Sequence, residues 1–172
     1  AGGNDDADIL DGGGNYDAPE IVDNSHAAYA EQGTWEDGPI SGGFNGSYRR
    51  IASGSGTNTA TWTFDNLEAL EYEVYVTWVA DAAHAGDATY AVYDDQTLLG
   101  TVAVDQSAAA VGQLVEDRPW QSLGIFSAPS DTLRVELTDA AQPGKHVAAD
   151  AVMIRQTENQ PFDVQITNFY TD

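Results

Sequence analysis

The sequence predicts an all-β protein, an antiparallel β-sandwich of the jelly-roll type, and three observations carry that expectation. Apolar and polar residues alternate in short runs from Ile21 onward, the period-two pattern of half-buried strands. Glycine, asparagine and aspartate punctuate the runs, as turn residues do. Helix signals are weak: residues 107–115 have some helical propensity, but Gly112 and the following Asp117-Arg118-Pro119 interrupt it, so a loop with at most one helical turn is expected there. Many short strands joined by such turns pack as sandwiches or jelly rolls.

Taken in order, strands are expected at residues 20–24, 47–52, 59–65, 71–79, 88–93, 98–104, 121–126, 132–138, 149–155 and 163–169. Residues 59–65 alternate threonine with Ala60, Trp62 and Phe64. In 71–79, period two puts Tyr72, Val74, Val76 and Trp78 on one face, the expected core, and Glu73, Tyr75 and Thr77 on the other. Trp62, Phe64 and Tyr90 are expected to join that core. Residues 156–161 have a linker's composition, after which 163–169 resumes a strand pattern. That tail suits an added edge strand or the start of a connection to a neighbouring domain.

An ordered set of short words runs through the chain: Glu20-Ile21-Val22-Asp23-Asn24, Gly33-Thr34-Trp35, Tyr48-Arg49, Thr61-Trp62-Thr63-Phe64, Tyr72 to Trp78, Asp105-Gln106, Trp120 with Leu123-Gly124, and Ala149-Asp150-Ala151-Val152. In order and spacing they resemble the golvesin C-terminal and xanthan-lyase carbohydrate-binding-like domain. The resemblance covers residues 20–156 and implies a galactose-binding-like β-sandwich, an accessory module of secreted bacterial enzymes and surface proteins rather than an enzyme itself. It leaves residues 1–19 as an acidic, glycine-rich leader and 157–172 as a linker or extra edge strand. After Trp78 the family's Asn-Arg-Ala-like word is replaced by Asp81-Ala82-Ala83-His84-Ala85, so no role for that arginine carries over.

A chain of 172 residues can bury a real core without metals or disulfides. It has no cysteine, which removes disulfides and Cys-based zinc or redox chemistry. Its 28 acidic residues face only Arg49, Arg50, Arg118, Arg134, Lys145 and Arg155, a formal charge of −22. Such a surface repels nucleic acid and anionic lipid, and no apolar run is long enough to span a bilayer. No signal peptide is legible at Ala1, so the chain reads as a mature product or an excised piece of a longer, secreted or cell-surface protein.

The acidity points to calcium as counter-ligand, because hard cations take carboxylate and carbonyl oxygens; generic acidity in salty surroundings is the alternative. Residues 8–17 resemble one turn of the calcium-binding nonapeptide repeat of secreted bacterial proteins, with Asp8, Asp11 and Asp17 as ligands, although Asn15 replaces a usual glycine. An acidic leader without a site is the other reading. Asp23, Asp105 and Asp150 form a second set. Either they cap loops and bind Arg49 or backbone amides, or they converge on calcium.

For a glycan, Trp35, Tyr48 and Tyr29 are the candidate exposed contacts, since an aromatic ring offers a sugar's C–H face an apolar platform. Trp120 is either another platform or a buried plug between the sheets. Asn24 and Gln106 supply amides for hydroxyls. Uncharged polysaccharide is favoured over anionic polysaccharide by the charge, and neighbouring domains of the same polypeptide are the other expected partners. Catalysis finds no pattern: there is no His-Glu-x-x-His pair, residues 53–56 lack the setting of a nucleophile elbow, and His26, His84 and His146 lie scattered. A spacer or adhesion domain that contacts protein and binds no sugar is the alternative function.

Overall fold

In the computed structural model, residues 18–157 are described. They form strands β1 (Glu20–Asp23), β2 (Tyr29–Gln32), β3 (Glu36–Asp37), β4 (Arg49–Ala52), β5 (Thr59–Phe64), β6 (Glu71–Thr77), β7 (Ala88–Asp94), β8 (Thr97–Val104), β9 (Gln113–Val115), β10 (Arg118–Ser127), β11 (Leu133–Thr138), β12 (His146–Ala149) and β13 (Ala151–Gln156), with one 3-10 turn at Phe44–Gly46. The strands make three sheets, ordered β1-β13-β6-β10-β9, β2-β5-β11-β7-β8 and β12-β4-β3. Pairing between neighbours is antiparallel throughout. The chain is therefore the all-β sandwich that its alternation predicts. The expected strand at 163–169 and the leader carboxylates Asp8, Asp11 and Asp17 lie outside the described residues.

The core fills the space between the two five-stranded sheets. Val74 and Val76 of β6 face Trp62 and Phe64 of β5, Val135 and Leu137 of β11 and Val92 of β7, all fully buried. Strand β5 shows why: its threonines are half-exposed while Ala60, Trp62 and Phe64 are buried. Burying each large apolar side chain contributes roughly 1.5–3 kcal/mol, so this alternation specifies the register.

The expected face of β6, Tyr72, Val74, Val76 and Trp78, lies in the core, and on the opposite face Tyr75 and Thr77 are buried as well. A second cluster of Phe44, Tyr75, Trp120, Ala151 and Met153 covers that face. Trp120 is accordingly a plug, but on the outer side of the first sheet rather than between the sheets. Its ring packs edge-on against Phe44 at 5.6 Å, and its indole N–H donates to the Val115 carbonyl.

A bulge lets β10 serve both faces. Gln121 and Ser122 oppose Val76 and Tyr75, then the register shifts so that Gly124 opposes Val74. The extra residue turns Leu123 into the main core, while Trp120 points the other way. Gly124 sits at φ 123°, which glycine adopts without strain.

Strands β2, β3, β9 and β12 were not legible, because they are short and β2 and β3 are also mostly polar. The segment expected as a loop or helical turn ends in β9, the first arm of a hairpin with β10. Its two-residue turn places Glu116 and Asp117 at φ 52° and 58°. That is the geometry of a primed turn, usually announced by Asn-Gly, and Glu-Asp conceals it.

Candidate functional site

Asp23, Asp105 and Asp150, for which the sequence leaves loop capping and convergence on calcium both open, fall in different places. Asp23 closes β1 and Asp150 sits in the turn between β12 and β13; both are buried. Between them lies the Phe44–Gly46 turn. Asp150 accepts from the Phe44 amide at 2.8 Å and Asp23 from the Asn45 amide group at 2.6 Å. Asp23 also accepts from the Ser25 amide and hydroxyl at 2.9 and 2.8 Å. Burial pushes Asp23 up, but the hydrogen bonds from Asn45 and Ser25 outweigh it and hold the carboxyl below its usual value. Asp150 behaves oppositely: burial dominates and pushes it up to about 7, against the Phe44 amide and Arg118.

The third member does not join. Asp105 is exposed and caps its own turn, accepting from the Ser107 amide at 2.9 Å and from its hydroxyl. Among the described residues no group of three or more His, Asp or Glu side chains is arranged to hold a metal ion. Asp23, Asp105 and Asp150 therefore do not form one cluster, and each accepts hydrogen bonds that cap a turn or loop. Nor do these aspartates take Arg49, which binds Glu31, Asp37 and the Trp35 carbonyl; Asp150 pairs instead with Arg118 at 3.5 Å.

Burial corrects the aromatic candidates. Trp35 is 5% exposed and Tyr48 1%. The Trp35 indole donates to the Gln32 carbonyl, and Gly38 packs so closely on the Tyr48 ring that a Cβ there would lie 2.1 Å from it. With Trp62, Trp78 and Trp120 also buried, the chain's four tryptophans are all inside. Tyr29 is half-buried, 5.3 Å from the Trp62 ring, with its hydroxyl on Glu31; burial, helped by Glu31, raises its pKa. None of these rings is a free platform, because each is buried or packed against the sandwich.

The amides divide. Gln106 is fully buried and acts as a strand substitute for β12, accepting from the Ala148 amide at 2.8 Å and donating to its carbonyl at 2.7 Å. Asn24 is half-buried beside Asp23 and donates to the Ser47 hydroxyl at 3.0 Å.

A polar cleft of about 330 Å³ opens beside the small sheet, lined by Thr34, Glu36, Ile51, Ala52, Asn58 and His146. Ile51 and Ala52 of β4, paired with Val147 and His146 of β12, supply its apolar lining, and its other lining residues are polar. Glu36 is neutralised by Arg50 at 2.7 Å, and His146 Nδ1 is shielded from solvent without a hydrogen-bond partner. Asn58 is held by Asp139, which takes its side-chain amide at 2.5 Å and the Gly56 amide at 2.6 Å. Sequence reasoning missed Glu36, Asn58 and Asp139, and left His146 as a surface histidine. The strict alternation of β11 running into Asp139 was the available signal, since a carboxylate continuing such a strand needs partners.

A second cleft of about 280 Å³ lies at the other end of the sandwich, lined by Ala18, Glu20, Asn66, Leu67, Glu68, Tyr72, Ile154 and Gln156. There β1 and β13 lie side by side, Glu20 opposite Ile154.

The architecture of packed antiparallel sheets is shared with solved carbohydrate-binding modules. Residues 20–156 match the Golvesin C-terminal domain, and the chain belongs to that family. A xanthan lyase from Paenibacillus is similar at 27% identity and TM-score 0.66, over 81% of this chain and 13% of that one. This chain thus corresponds to a small part of the lyase. A family 35 carbohydrate binding module from an environmental isolate matches at 14% identity and TM-score 0.55, over 81% of this chain and 93% of the module. A second family 35 module, from Cellvibrio japonicus, matches at 10% identity and TM-score 0.54, over 83% and 95%. These two likenesses are of fold. No curated protein matches the chain in sequence.

Proposed function

We propose that this domain is a non-catalytic carbohydrate-binding module of a larger secreted or surface protein, and that it takes an uncharged glycan in the cleft between Glu36, Asn58 and His146. One observation carries the reading: a hydroxyl, a carboxylate, an amide and an imidazole line one cleft together with the apolar Ile51 and Ala52. A sugar ring presents the complement, hydroxyls that both donate and accept around an apolar C–H face. The volume is at the small end of ligand sites, so a short stretch of a polysaccharide fits. Charge selects further. A surface of net charge −22 repels anionic polymers, while Glu36, already paired with Arg50, leaves the cleft without a free charge of its own.

Calcium stabilisation is part of the proposal only through the leader, where Asp8, Asp11 and Asp17 supply carboxylates. The alternative, a spacer that contacts protein and binds no sugar, gains from the burial of all four indoles.

The test is retention on an array of neutral and anionic polysaccharides, with His146→Ala and Glu36→Gln beside the wild type. Binding to a neutral glycan, lost in His146→Ala with melting unchanged, is the expected result. No binding to any neutral polysaccharide, or binding indifferent to both substitutions, overturns the assignment.

A further inference from the structure

Strand β8 is the outer strand of the second sheet, and it lacks the usual protection of such strands. Its eight residues, Thr-Leu-Leu-Gly-Thr-Val-Ala-Val, include no charge and no proline. The other edges are different: β1 carries Glu20 and Asp23, β2 carries Glu31, and β3 is Glu36-Asp37. Strand β9 has three residues and runs into Glu116 and Asp117. The outer edge of β12 is already taken, by Ala83 and Ala85 on His146 and by Gln106 on Ala148.

On β8 the only ladder is the one to β7, and no other hydrogen bond from residues 97–104 is made among the described residues. Thr97, Leu98, Leu99, Thr101 and Ala103 are exposed, Leu98 at 53%. An unpaired row of N–H and C=O groups is a template for another strand, and charge or proline is how folded proteins block it. In a chain with 28 acidic residues, an uncharged edge of this length is a specific exception.

We propose that β8 accepts an extended segment of another polypeptide as a sixth strand of its sheet, and that this segment is small or apolar in the middle and basic at both ends. The ends of β8 set the second condition. Asp94 and Asp95 stand at its start, Asp105 follows its last residue, and Asp87 precedes the β7 residue that opposes Val104. The nearest cation in the sheet, Arg134 on β11, is committed to Glu136 at 2.7 Å and stacks 4.0 Å over the Tyr93 ring. A second copy of the domain is a poor occupant: antiparallel pairing of β8 with β8 sets Asp94 and Asp95 against Asp105 at each end, between two bodies of charge −22. The site is independent of the glycan cleft.

The test uses the full chain, isotope-labelled for nuclear magnetic resonance, and a peptide of three valine-threonine pairs with two lysines at each end. A glutamate-flanked version and a version N-methylated at alternate residues are the controls. Shift changes and slowed amide exchange confined to residues 97–104 are expected. The lysine peptide should bind at least tenfold tighter than the glutamate peptide at low salt, and the preference should shrink as salt screens the ends. Thr101→Lys should weaken binding at least tenfold without moving the melting temperature. Equal binding of the N-methylated peptide, protection elsewhere, or no binding of the lysine peptide overturns the proposal. Sedimentation of the wild type as a dimer that Thr101→Lys dissociates overturns the choice of occupant in favour of a second copy.

Discussion

Replacing Asp150 by asparagine should stabilise the protein at neutral pH, and the gain should vanish in mild acid. Burial raises the Asp150 carboxyl from 3.8 to about 7, with Asp23 adding to the rise and the Phe44 amide and Arg118 opposing it. Three units at about 1.36 kcal/mol each put the cost of ionising it in the folded state at about 4 kcal/mol. Because the folded value lies above the unfolded one, the native state holds the extra proton between about pH 4 and pH 7. Stability from this group is therefore greatest below pH 4, falls as pH rises through that window, and is level above it. Asparagine keeps an oxygen for the Phe44 amide but gives Arg118 no charge. Arg118, 3.5 Å away and one-fifth exposed, already enters the raised value, so its pull on the carboxylate is not subtracted again. The gain is roughly 4 kcal/mol at pH 7.5, about 1 kcal/mol at pH 4.5 and near zero below pH 4. Urea denaturation of both proteins across that range measures it, and the difference between them cancels the general self-repulsion of the acidic surface. An asparagine variant less stable than the wild type at pH 7.5, or a difference that does not change with pH, would refute the reasoning and show an ionised Asp150 held by Arg118.

Three further outcomes follow from burial and charge. Trp120→Ala and Trp35→Ala should each cost on the order of 3–5 kcal/mol in chemical denaturation, and iodide should leave the native indole fluorescence almost unquenched. Asp139→Ala should remove the anchor of the Gly56–Asn58 segment, costing about 1–3 kcal/mol and weakening glycan retention, whereas a cleft that does not include Asn58 would retain glycan as before. Calcium at about a hundred times its dissociation constant should add about 2.7 kcal/mol if the leader carboxylates bind it; magnesium acting equally well would make the acidity a generic surface property.

The core was legible and the site was not, for a physical reason. Period-two burial leaves its mark wherever a strand is long, so the cores of β5, β6 and β11 follow directly from Trp62, Val74, Val76 and Val135. An aromatic in a loop or at the start of a short strand carries no such mark. Trp35 lies between Gly33 and Gly38 and Tyr48 follows Gly46-Ser47, and only tertiary packing, with Gly38 against the Tyr48 ring, determines that they face inward. The cleft is assembled from β3, β4, β12 and the residue before β5, short pieces that alternate too briefly to announce themselves. Asp23 and Asp150 stood out as carboxylates in apolar words, and both proved buried; Asp105 had the same appearance but only caps a turn.

The pairing of β1 with β13 has a consequence for how this module can be mounted. Residues 18 and 157 leave from one pole of the sandwich, where Ala18 and Gln156 line the same small cleft. The six residues of β5 run from Asn58 at the polar cleft toward Asn66 at that pole, a separation of about 20 Å at roughly 3.4 Å per residue. The points where residues 18 and 157 leave the sandwich are thus at the end opposite that cleft. A domain whose two ends leave together can also be spliced into a surface loop of a host without prying the host apart. It can thus ride as an outward-facing knob inside a longer chain as readily as at its tip.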